Sequence, residues 1–164
     1  MSEIAPLSKE YDRAGFDCGV AELNVFLKST ARQHGDKGVS RTFVLTDHGT
    51  PAIMGFFTLT LCEVVAEKLP AGYAKKYPHH ALPAVRLARL AVSLKHQGKK
   101  HGELLLADAI HRTLLIAEQA GVIGLFVDAK NDSARSFYER YGFVVLPNQP
   151  LHLFMPIETI RRFA

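Results

Sequence analysis

Apolar residues recur along the chain with two periods, one typical of helices and one typical of strands. Residues 20–33 carry apolar side chains three or four positions apart, which predicts an amphipathic helix. Segments 41–46 and 52–65 are instead rich in Phe, Val, Ile and Thr, and the turn-forming residues 47–50 between them predict a β-hairpin. A short, weak strand is predicted near residues 4–7.

The second half of the chain alternates between strand and helix. Residues 85–93 predict a strand, and residues 103–120 carry one apolar stripe that predicts a helix ending at Gly121. Residues 122–129 form a near-continuous apolar strand, and Asn131 or Asp132 can cap a second helix that reaches Tyr141. Two closing strands are predicted at 143–146 and 151–157. The alternation indicates an α/β (α+β) fold.

Length and composition restrict the protein to one ordinary folded domain. The 164 residues are 48% hydrophobic and 22% charged, which excludes disordered, collagenous and coiled-coil proteins. One hydrophobic core is enough for a chain of this length, so we expect a single domain over residues 1–164. Cys18 and Cys62 have no partner at ligand spacing, so neither a disulfide framework nor a metal site is expected.

No segment of the sequence indicates export or membrane insertion. Residues 1–13 mix charged and polar residues and lack the apolar stretch of a secretory signal. The longest apolar stretch, residues 51–62, is well short of the ~20 residues that span a bilayer. We therefore expect a cytoplasmic protein with no membrane partner.

Positive charge is concentrated in the middle of the chain. Residues 68–101 hold eight Lys or Arg and no Asp or Glu, so this segment carries +8 in a chain whose net charge is +4. Clustered positive charge attracts phosphate-bearing ligands, and the charge alone does not separate a nucleotide cofactor from a nucleic acid. Residues 68–83, rich in Pro, predict a long basic loop, which is either functional or merely solvated.

The turn between the predicted strand and helix is a candidate phosphate site. A helix N-terminus exposes unpaired backbone N–H groups, and Gly98 and Gly102 allow a ligand to approach this backbone closely. The turn lacks the Gly-Lys-Ser/Thr of nucleotide hydrolases and the Gly-x-Gly of dinucleotide-binding proteins. A different phosphate ligand is therefore indicated.

The turn resembles a signature of the GNAT superfamily of acetyl-CoA-dependent N-acetyltransferases, Gln/Arg-x-x-Gly-x-Gly/Ala. Gln97 and Gly102 match it, whereas Lys100 stands at the first Gly and lacks the conformational freedom of Gly. Residues 131–143 resemble the family's Asn-x-x-Ala-x-x-x-Tyr-x-x-x-Gly-Phe helix. The resemblance implies a mixed central sheet with helices on both faces, splayed at the fourth strand, and acetyl-CoA as cofactor.

Three further segments are similar to one branch of the superfamily, the acetyltransferase toxins of bacterial toxin–antitoxin pairs. They are residues 15–27, 55–59 and 89–92. This branch implies acetylation of the α-amine of aminoacyl-tRNA, which blocks translation. It also implies a DNA-binding antitoxin as partner and a possible homodimer.

The resemblance assigns roles to particular residues. Tyr138 would protonate the departing thiolate, and the backbone N–H of Val92 would stabilise the thioester oxygen. The expected cofactor-binding residues are Leu90, Ala91, Val92, Gln97, Gly98, Lys99, Lys100, His101, Gly102, Asn131, Ser133 and Phe137. The expected RNA-binding residues are Lys68, Lys75, Lys76, Arg86 and Arg89.

The residues leave the general base and the acceptor open. Glu63, Glu67 and Asp128 are candidates for a water-mediated base, and each is also explained as a structural residue. An α-amine with a pKa of about 7.7 to 8.0 needs little help to lose its proton. Two alternatives remain: a GNAT enzyme acting on a small amine or protein N-terminus, and a non-catalytic module that binds acyl-CoA or nucleic acid.

Overall fold

Seven β-strands form one mixed sheet within residues 1–163, the part of the chain that the computed structural model describes. Their order in the sheet is β1-β2-β3-β4-β5-β7-β6. β4 and β5 are parallel, whereas the β1–β2, β2–β3, β5–β7 and β6–β7 pairs are antiparallel. The strands are β1 Ser2–Pro6, β2 Arg41–Asp47, β3 Gly55–Val65, β4 Ala81–Val92, β5 Gly124–Asp128, β6 Val144–Leu146 and β7 Gln149–Pro156.

Helices alternate with the strands. They are α1 Ala21–Val25, α2 Ala31–Asp36, α3 Ala71–Ala74, α4 His101–Gln119, α5 Asp132–Arg140 and α6 Ile157–Phe163. A π-helical turn, Phe26–Thr30, joins α1 to α2, and single 3₁₀ turns occupy Ala66–Lys68 and Leu94–His96. None of the helices in residues 1–163 is both long and apolar enough to traverse a bilayer.

Contacts within the chain group into two compact units. The first unit comprises Met1–Thr60 and Ala88–Ala109, and the second comprises Leu61–Leu87 and the chain from Ile110 onwards. β3, β4 and α4 each contribute residues to both units. The expectation of a single domain over residues 1–164 stays a prediction.

In the first unit, helices cover both faces of β3. The ring of Phe26 stacks on that of Phe56 at 6.4 Å between centroids, and Phe16 meets Phe56 edge-on at 5.4 Å. On the other face, a Cβ added to Gly55 would lie 2.8 Å from Cδ1 of Leu105 in α4. Only glycine therefore allows α4 to pack so closely on β3.

In the second unit, helical segments also lie on both faces of the sheet. The rings of Phe126 and Phe154 stack at 4.6 Å, and Tyr73 of α3 meets Phe154 edge-on at 5.8 Å. The next residue of β7, Met155, points to the opposite face, where it lies near Gly142, just beyond α5. These contacts confirm the predicted mixed sheet with helices on both faces.

Several element boundaries differ from those that the sequence predicts. The helix predicted at 20–33 contains the π-helical turn, in which Ser29 Oγ donates to the carbonyl oxygen of Val25 at 2.7 Å. β4 begins at Ala81 rather than residue 85, so the predicted loop is shorter and also contains α3. The segment predicted as a strand to residue 157 ends at Pro156, and α6 follows, an element that the sequence pattern did not predict.

Candidate active site

The end of β4 extends beyond its pairing with β5. The register of this parallel ladder runs from Val85–Leu125 to Leu87–Val127, and β4 continues for five more residues to Val92. The backbone N–H of Ser93 donates to the carbonyl oxygen of Met54 at 2.8 Å. Because successive N–H groups of a strand point to opposite edges, the N–H of Val92 points away from Met54. This direction agrees with the predicted splay of the fourth strand, and the role predicted for Val92 stays a prediction.

The residues beside Val92 support the strand. Ala91 is buried, and its carbonyl oxygen would lie 2.9 Å from a Cβ at Gly55. Leu90 is half-buried. Since Ala91 is fully packed, any contact of residues 90–92 with a thioester would use the backbone and the partly exposed side chains of Leu90 and Val92.

Gln97 has its side chain engaged within the protein. Its Nε2 donates to the carbonyl oxygen of Val92 at 3.0 Å and to that of Cys18 at 3.3 Å. The side chain therefore holds the end of β4 next to the loop that precedes α1. Its predicted contribution to cofactor binding would come through its backbone and through the shape of the turn.

The loop containing residues 17–19 is a support that the sequence analysis did not identify. Asp17 accepts from the Gly19 N–H and from Asn24 Nδ2, both at 2.9 Å, and these bonds hold the pKa of its carboxyl below its usual range. Asn24 Oδ1 in turn accepts from the N–H of Cys18 at 2.9 Å. The carbonyl oxygen of Asp17 accepts from the N–H of Leu94 at 2.9 Å, so this loop and the turn after β4 are fixed together.

The turn from Gln97 to Gly102 has an unusual backbone. Gly98 has φ of 78° and Lys100 has φ of 65°, so both lie in the left-handed region. Lys100 therefore adopts a conformation that glycine adopts more readily, and α4 begins at the next residue, His101. Left-handed residues in a turn direct successive N–H groups toward a common point, which is an arrangement that binds anions.

The chemistry of the turn fits a diphosphate. A Cβ at Gly98 would have open space around it, and the exposed side chains of Lys99 and Lys100 add positive charge. Two buried nitrogens, Nδ1 of His96 and of His101, have no hydrogen-bond partner within residues 1–163. Burial and the neighbouring His101 lower the pKa of His96. These residues, with Gly102 in the first turn of α4, can hold the diphosphate of coenzyme A.

The side chains at the start of α5 make their contacts mainly within this helix and the residue that follows it. Asn131 Oδ1 accepts from the N–H of Ala134 at 2.8 Å, so the Asn131 side chain caps the helix. Ser133 is exposed in the first turn, and Phe137 is half-buried between the rings of Tyr138 and Tyr141, at 5.2 and 5.3 Å. The predicted cofactor contacts of these residues stay predictions.

Tyr138 is the buried tyrosine of α5. Its side chain is 7% exposed and packs against Phe143 at 5.5 Å between ring centroids. Burial raises the pKa of Tyr138 to about 12, because the phenolate would be poorly solvated. The hydroxyl is therefore protonated at neutral pH and suits a proton donor rather than a base.

The predicted RNA-binding residues have different surroundings. Lys68 and Lys75 are exposed, whereas Lys76 pairs with Glu158 at 3.2 Å. Arg86 pairs with Asp128 at 2.5 Å. The guanidinium of Arg89 lies 3.6 Å from the ring centroid of Phe26. Both arginines therefore have structural contacts, and a role for them in RNA binding stays a prediction.

The three candidate bases also differ. Glu63 is exposed on β3, and Glu67 accepts from His79 Nδ1 at 2.6 Å, which lowers the pKa of Glu67 and makes it a weaker base. Asp128 contacts both Arg86 and His152, and the sequence analysis did not identify His152. No local signal identifies this pair, because it depends on the register of β5 with β7. No group of three or more His, Cys, Asp or Glu in the described residues 1–163 is arranged to hold a metal ion.

Comparison with known proteins assigns this fold and site to a family. Residues 39–145 match the family described as Acetyltransferase (GNAT) domain, and the chain belongs to this family. Membership confirms the predicted fold class and the predicted N-acetyltransferase class of enzyme. The turn whose backbone fits a diphosphate is therefore part of an acetyltransferase.

Relatives with known structures or functions align over almost the whole chain. A tRNA-acetylating toxin of Mycobacterium tuberculosis is 33% identical over 155 residues, which are 94% of this chain and 92% of the relative. The structure of AtaT complexed with acetyl-methionyl-tRNAfMet is 30% identical, with a TM-score of 0.92 and coverage of 99% of this chain and 98% of that chain.

A second structure of AtaT bears on the cofactor. The structure of an AtaT toxin variant bound to the C-terminus of the antitoxin AtaR and acetyl-CoA is 30% identical, with a TM-score of 0.80 and coverage of 99% and 97%. Together with family membership, it confirms acetyl-CoA as the cofactor that the sequence predicts. The two relatives also confirm the resemblance to the toxin branch.

Proposed function

We propose that this enzyme transfers the acetyl group of acetyl-CoA to the α-amine of an aminoacyl-tRNA and thereby acts as a toxin that blocks translation. The observation that carries the proposal is similarity over nearly the full chain to a tRNA-acetylating toxin and to AtaT in complex with an acetylated aminoacyl-tRNA. We place the enzyme in the cytoplasm, where charged tRNA is found. By similarity to the AtaT–AtaR complex, its partner is an antitoxin, which we expect to bind DNA.

The turn between β4 and α4 would hold the cofactor. Backbone N–H groups of Gly98, Lys100 and the first turn of α4 would donate to the diphosphate, and the ammonium groups of Lys99 and Lys100 would add attraction. Gln97 fixes the turn to Val92 through its side chain. Acetyl-CoA supplies an activated acetyl thioester, so the protein needs no nucleophile of its own.

Val92 performs the electrostatic part of the reaction. Its backbone N–H donates to the thioester oxygen as that oxygen gains negative charge during attack by the amine. Because the Gln97 side chain holds the Val92 carbonyl, the backbone beside this N–H is fixed in place before the substrate binds. Preorganisation of this kind lowers the activation barrier, because no free energy is needed to orient the donor during the reaction.

Tyr138 donates a hydrogen bond to the departing sulfur. A phenol with a pKa of about 12 is a much weaker acid than a thiol, whose ordinary pKa is about 8.5. Complete transfer from Tyr138 alone would leave an unstable buried phenolate. The proton that Tyr138 gives to sulfur is therefore replaced by the one that the attacking nitrogen loses as the amide forms.

The acceptor RNA would contact the segment between β3 and β4. Lys68 and Lys75 present exposed ammonium groups there, and Lys76 adds a third that also contacts Glu158. Such contacts to phosphates position an RNA without reading its sequence and weaken as salt rises. We also propose that the enzyme is a homodimer, which light scattering of the purified protein tests.

The decisive experiment incubates the protein with labelled acetyl-CoA and total charged tRNA. We expect label on the aminoacyl group, identified by mass spectrometry after mild hydrolysis, and none with Tyr138→Phe at equal acetyl-CoA affinity. Label on a small amine or a protein N-terminus would contradict the proposed acceptor. Acetyl-CoA binding without transfer to any amine would instead indicate a non-catalytic binding module.

A further inference from the structure

Three polar side chains from neighbouring strands meet on one face of the second unit. Oδ2 of Asp128, the last residue of β5, accepts from Arg86 of β4 at 2.5 Å, and Oδ1 of Asp128 lies 2.6 Å from Nδ1 of His152 of β7. The β5–β7 register places Asp128 directly opposite His152, and Arg86 is registered with Phe126. Registered neighbours project to the same face, so the three groups form one cluster.

The cluster lies where the apolar cover of this face ends. Phe126 and Phe154, two residues away on the same strands, are buried and covered by Tyr73. The side chains of Asp128 and His152 are instead 46% and 44% exposed. A substrate can therefore reach both side chains.

The contact between His152 and Asp128 leaves Nε2 of His152 able to accept a proton. Its Nδ1 faces the Asp128 carboxylate, which favours the ring form that carries hydrogen on Nδ1 and a lone pair on Nε2. Within residues 1–163, Nε2 has no protein partner. Arg86 donates to the second carboxylate oxygen of Asp128. The charged or titratable groups around the ring are Asp128 on β5, Arg86 on β4 and, farther along the face, the thiol of Cys62 on β3.

Tyr138 belongs to a helix on the other face. α5 packs against β7, and Gly142, just beyond α5, lies near Met155, whose side chain projects away from the face of His152. The acceptor nitrogen and the departing sulfur are two different atoms bonded in turn to one carbon. A proton acceptor and a proton donor on opposite faces of the sheet can serve these two atoms without competing.

We propose that Nε2 of His152 is the base that deprotonates the acceptor amine, with Asp128 and Arg86 as positioning residues. This inference rests on the proposed function. The neutral amine gives a proton to Nε2 of His152 as the N–C bond forms and the C–S bond breaks. Tyr138 gives its proton to the departing sulfur, and water carries the proton from His152 to the Tyr138 oxygen to replace it.

The test measures single-turnover acetyl transfer to charged tRNA from pH 6.0 to 8.5. His152→Gln keeps an N–H that can donate to Asp128 but removes the base. A general base contributes about 10²-fold or more to such a proton transfer, so at pH 8.5, where most of the amine is neutral, the variant should be about 10²-fold slower than wild type. The difference should narrow toward pH 6.0, because an imidazole that already carries a second proton cannot accept another.

A matched control and a second readout separate catalysis from structure. His48, which pairs with Glu3 at 3.3 Å on an exposed turn, provides the control His48→Gln, with wild-type rates at every pH. Nitrogen NMR of the wild-type imidazole should show hydrogen on Nδ1 of His152, and Asp128→Asn should lose this preference. For His152→Gln, the affinities for acetyl-CoA and for charged tRNA should not change.

Two results would overturn the inference, and a third concerns the proposed function. A loss of rate in His152→Gln that is equal at pH 6.0 and 8.5, or no loss at all, would show that His152 is not the base. An NMR result that places the hydrogen of the neutral His152 ring on Nε2 would also show that His152 is not the base. If wild-type enzyme transfers no acetyl group to charged tRNA at any pH, the proposed function is wrong. The inference that His152 deprotonates the amine of an aminoacyl-tRNA is then also wrong.

Discussion

Lys100 shows that a residue other than glycine can occupy a position at which the GNAT pattern has glycine. Its φ of 65° costs an L-residue about 1–2 kcal/mol relative to a right-handed conformation. The side chain is exposed, so packing does not impose the conformation. The cost is therefore sustained by the turn itself, whose shape is fixed by Gln97 and by the start of α4.

Replacing Lys100 with glycine should separate the backbone from the charge. Lys100→Gly should raise the free energy of unfolding by about 1 kcal/mol, because glycine adopts positive φ without steric cost. Its affinity for coenzyme A should fall, because the ammonium is removed. Urea unfolding and calorimetry measure the two effects. Lys100→Ala, which keeps the strain and removes the charge, should lower affinity without gaining stability; equal stabilities of the two variants would contradict this account.

Burial of Tyr138 predicts a loss of stability at alkaline pH. An ordinary tyrosine ionises near pH 10, whereas the pKa of Tyr138 is about 12 in the folded protein. The stabilisation from the neutral phenol is therefore complete below pH 10 and is lost as pH rises toward 12, to a limit of about 2.7 kcal/mol. Urea unfolding at pH 9 and pH 11 should show a smaller decrease in stability for Tyr138→Phe than for wild type. Parallel decreases in the two proteins would contradict the assignment.

At the scale of elements, the site depends on the close packing of β3, β4 and α4 in the first unit. A Cβ at Gly55 would lie 2.8 Å from Leu105 Cδ1 and 2.9 Å from the carbonyl oxygen of Ala91. One of these contacts is the backbone of β4, immediately before Val92, and cannot move without displacing the strand. The position of the Val92 N–H is therefore linked to the absence of a side chain at residue 55.

Gly55→Ala should destabilise the fold and impair the reaction together. We expect the free energy of unfolding to fall by about 2 kcal/mol, as in other overpacked cores, and kcat to fall because the Val92 N–H shifts. Gly72→Ala is the matched control: a Cβ there has no atom within 4 Å, and alanine favours the helical conformation of α3. Chemical unfolding and steady-state rates test both. A Gly55→Ala protein as stable as the control would show that the packing is looser than described.

The sequence predicts elements better than it predicts how they pair. The stripe of apolar residues predicts a helix at 103–120, close to the observed His101–Gln119, because helical period is a local property. The contact of Asp128 with His152 depends on strand register across 24 residues, which no local period encodes. The hydrogen bonds of the Gln97 side chain cannot be predicted from the sequence either, because they depend on where the loop at Cys18 lies.

At the scale of the whole molecule, the basic segment provides two separate groups of exposed cations. Internal partners engage three of its eight Lys and Arg residues, namely Lys76 with Glu158, Arg86 with Asp128 and Arg89 with the ring of Phe26. The exposed remainder is divided between the second unit, with Lys68 and Lys75, and the first unit, with Lys95, Lys99 and Lys100. The proposed function assigns the first of these groups to the RNA and the second to the cofactor.

Charge reversal of the second-unit group should therefore weaken only RNA binding. The double variant Lys68→Glu with Lys75→Glu should bind charged tRNA less tightly. The slope of its log affinity against log salt concentration should become shallower by about 0.7–0.9 for each phosphate that the variant leaves unneutralised. Its affinity for coenzyme A should stay at the wild-type value. Filter binding at several salt concentrations and calorimetry measure these quantities. Lys76 is kept because a glutamate there would face Glu158.

The control carries the same change of charge elsewhere. Lys9 and Lys37 are exposed in the first unit, outside the basic segment, and Lys9→Glu with Lys37→Glu alters the net charge equally. If this control weakens tRNA binding as much as the test variant, the effect comes from overall charge, and the division into two groups is wrong.

The two natural thiols are poorly placed to react, which has a practical consequence for fluorescence work. Cys18 is buried, and burial raises the pKa of the Cys62 thiol, so little reactive thiolate forms at neutral pH. A maleimide dye should therefore couple selectively to a single engineered Lys75→Cys without removal of either native cysteine. Such a labelled protein, which keeps Lys68, would report tRNA docking in real time.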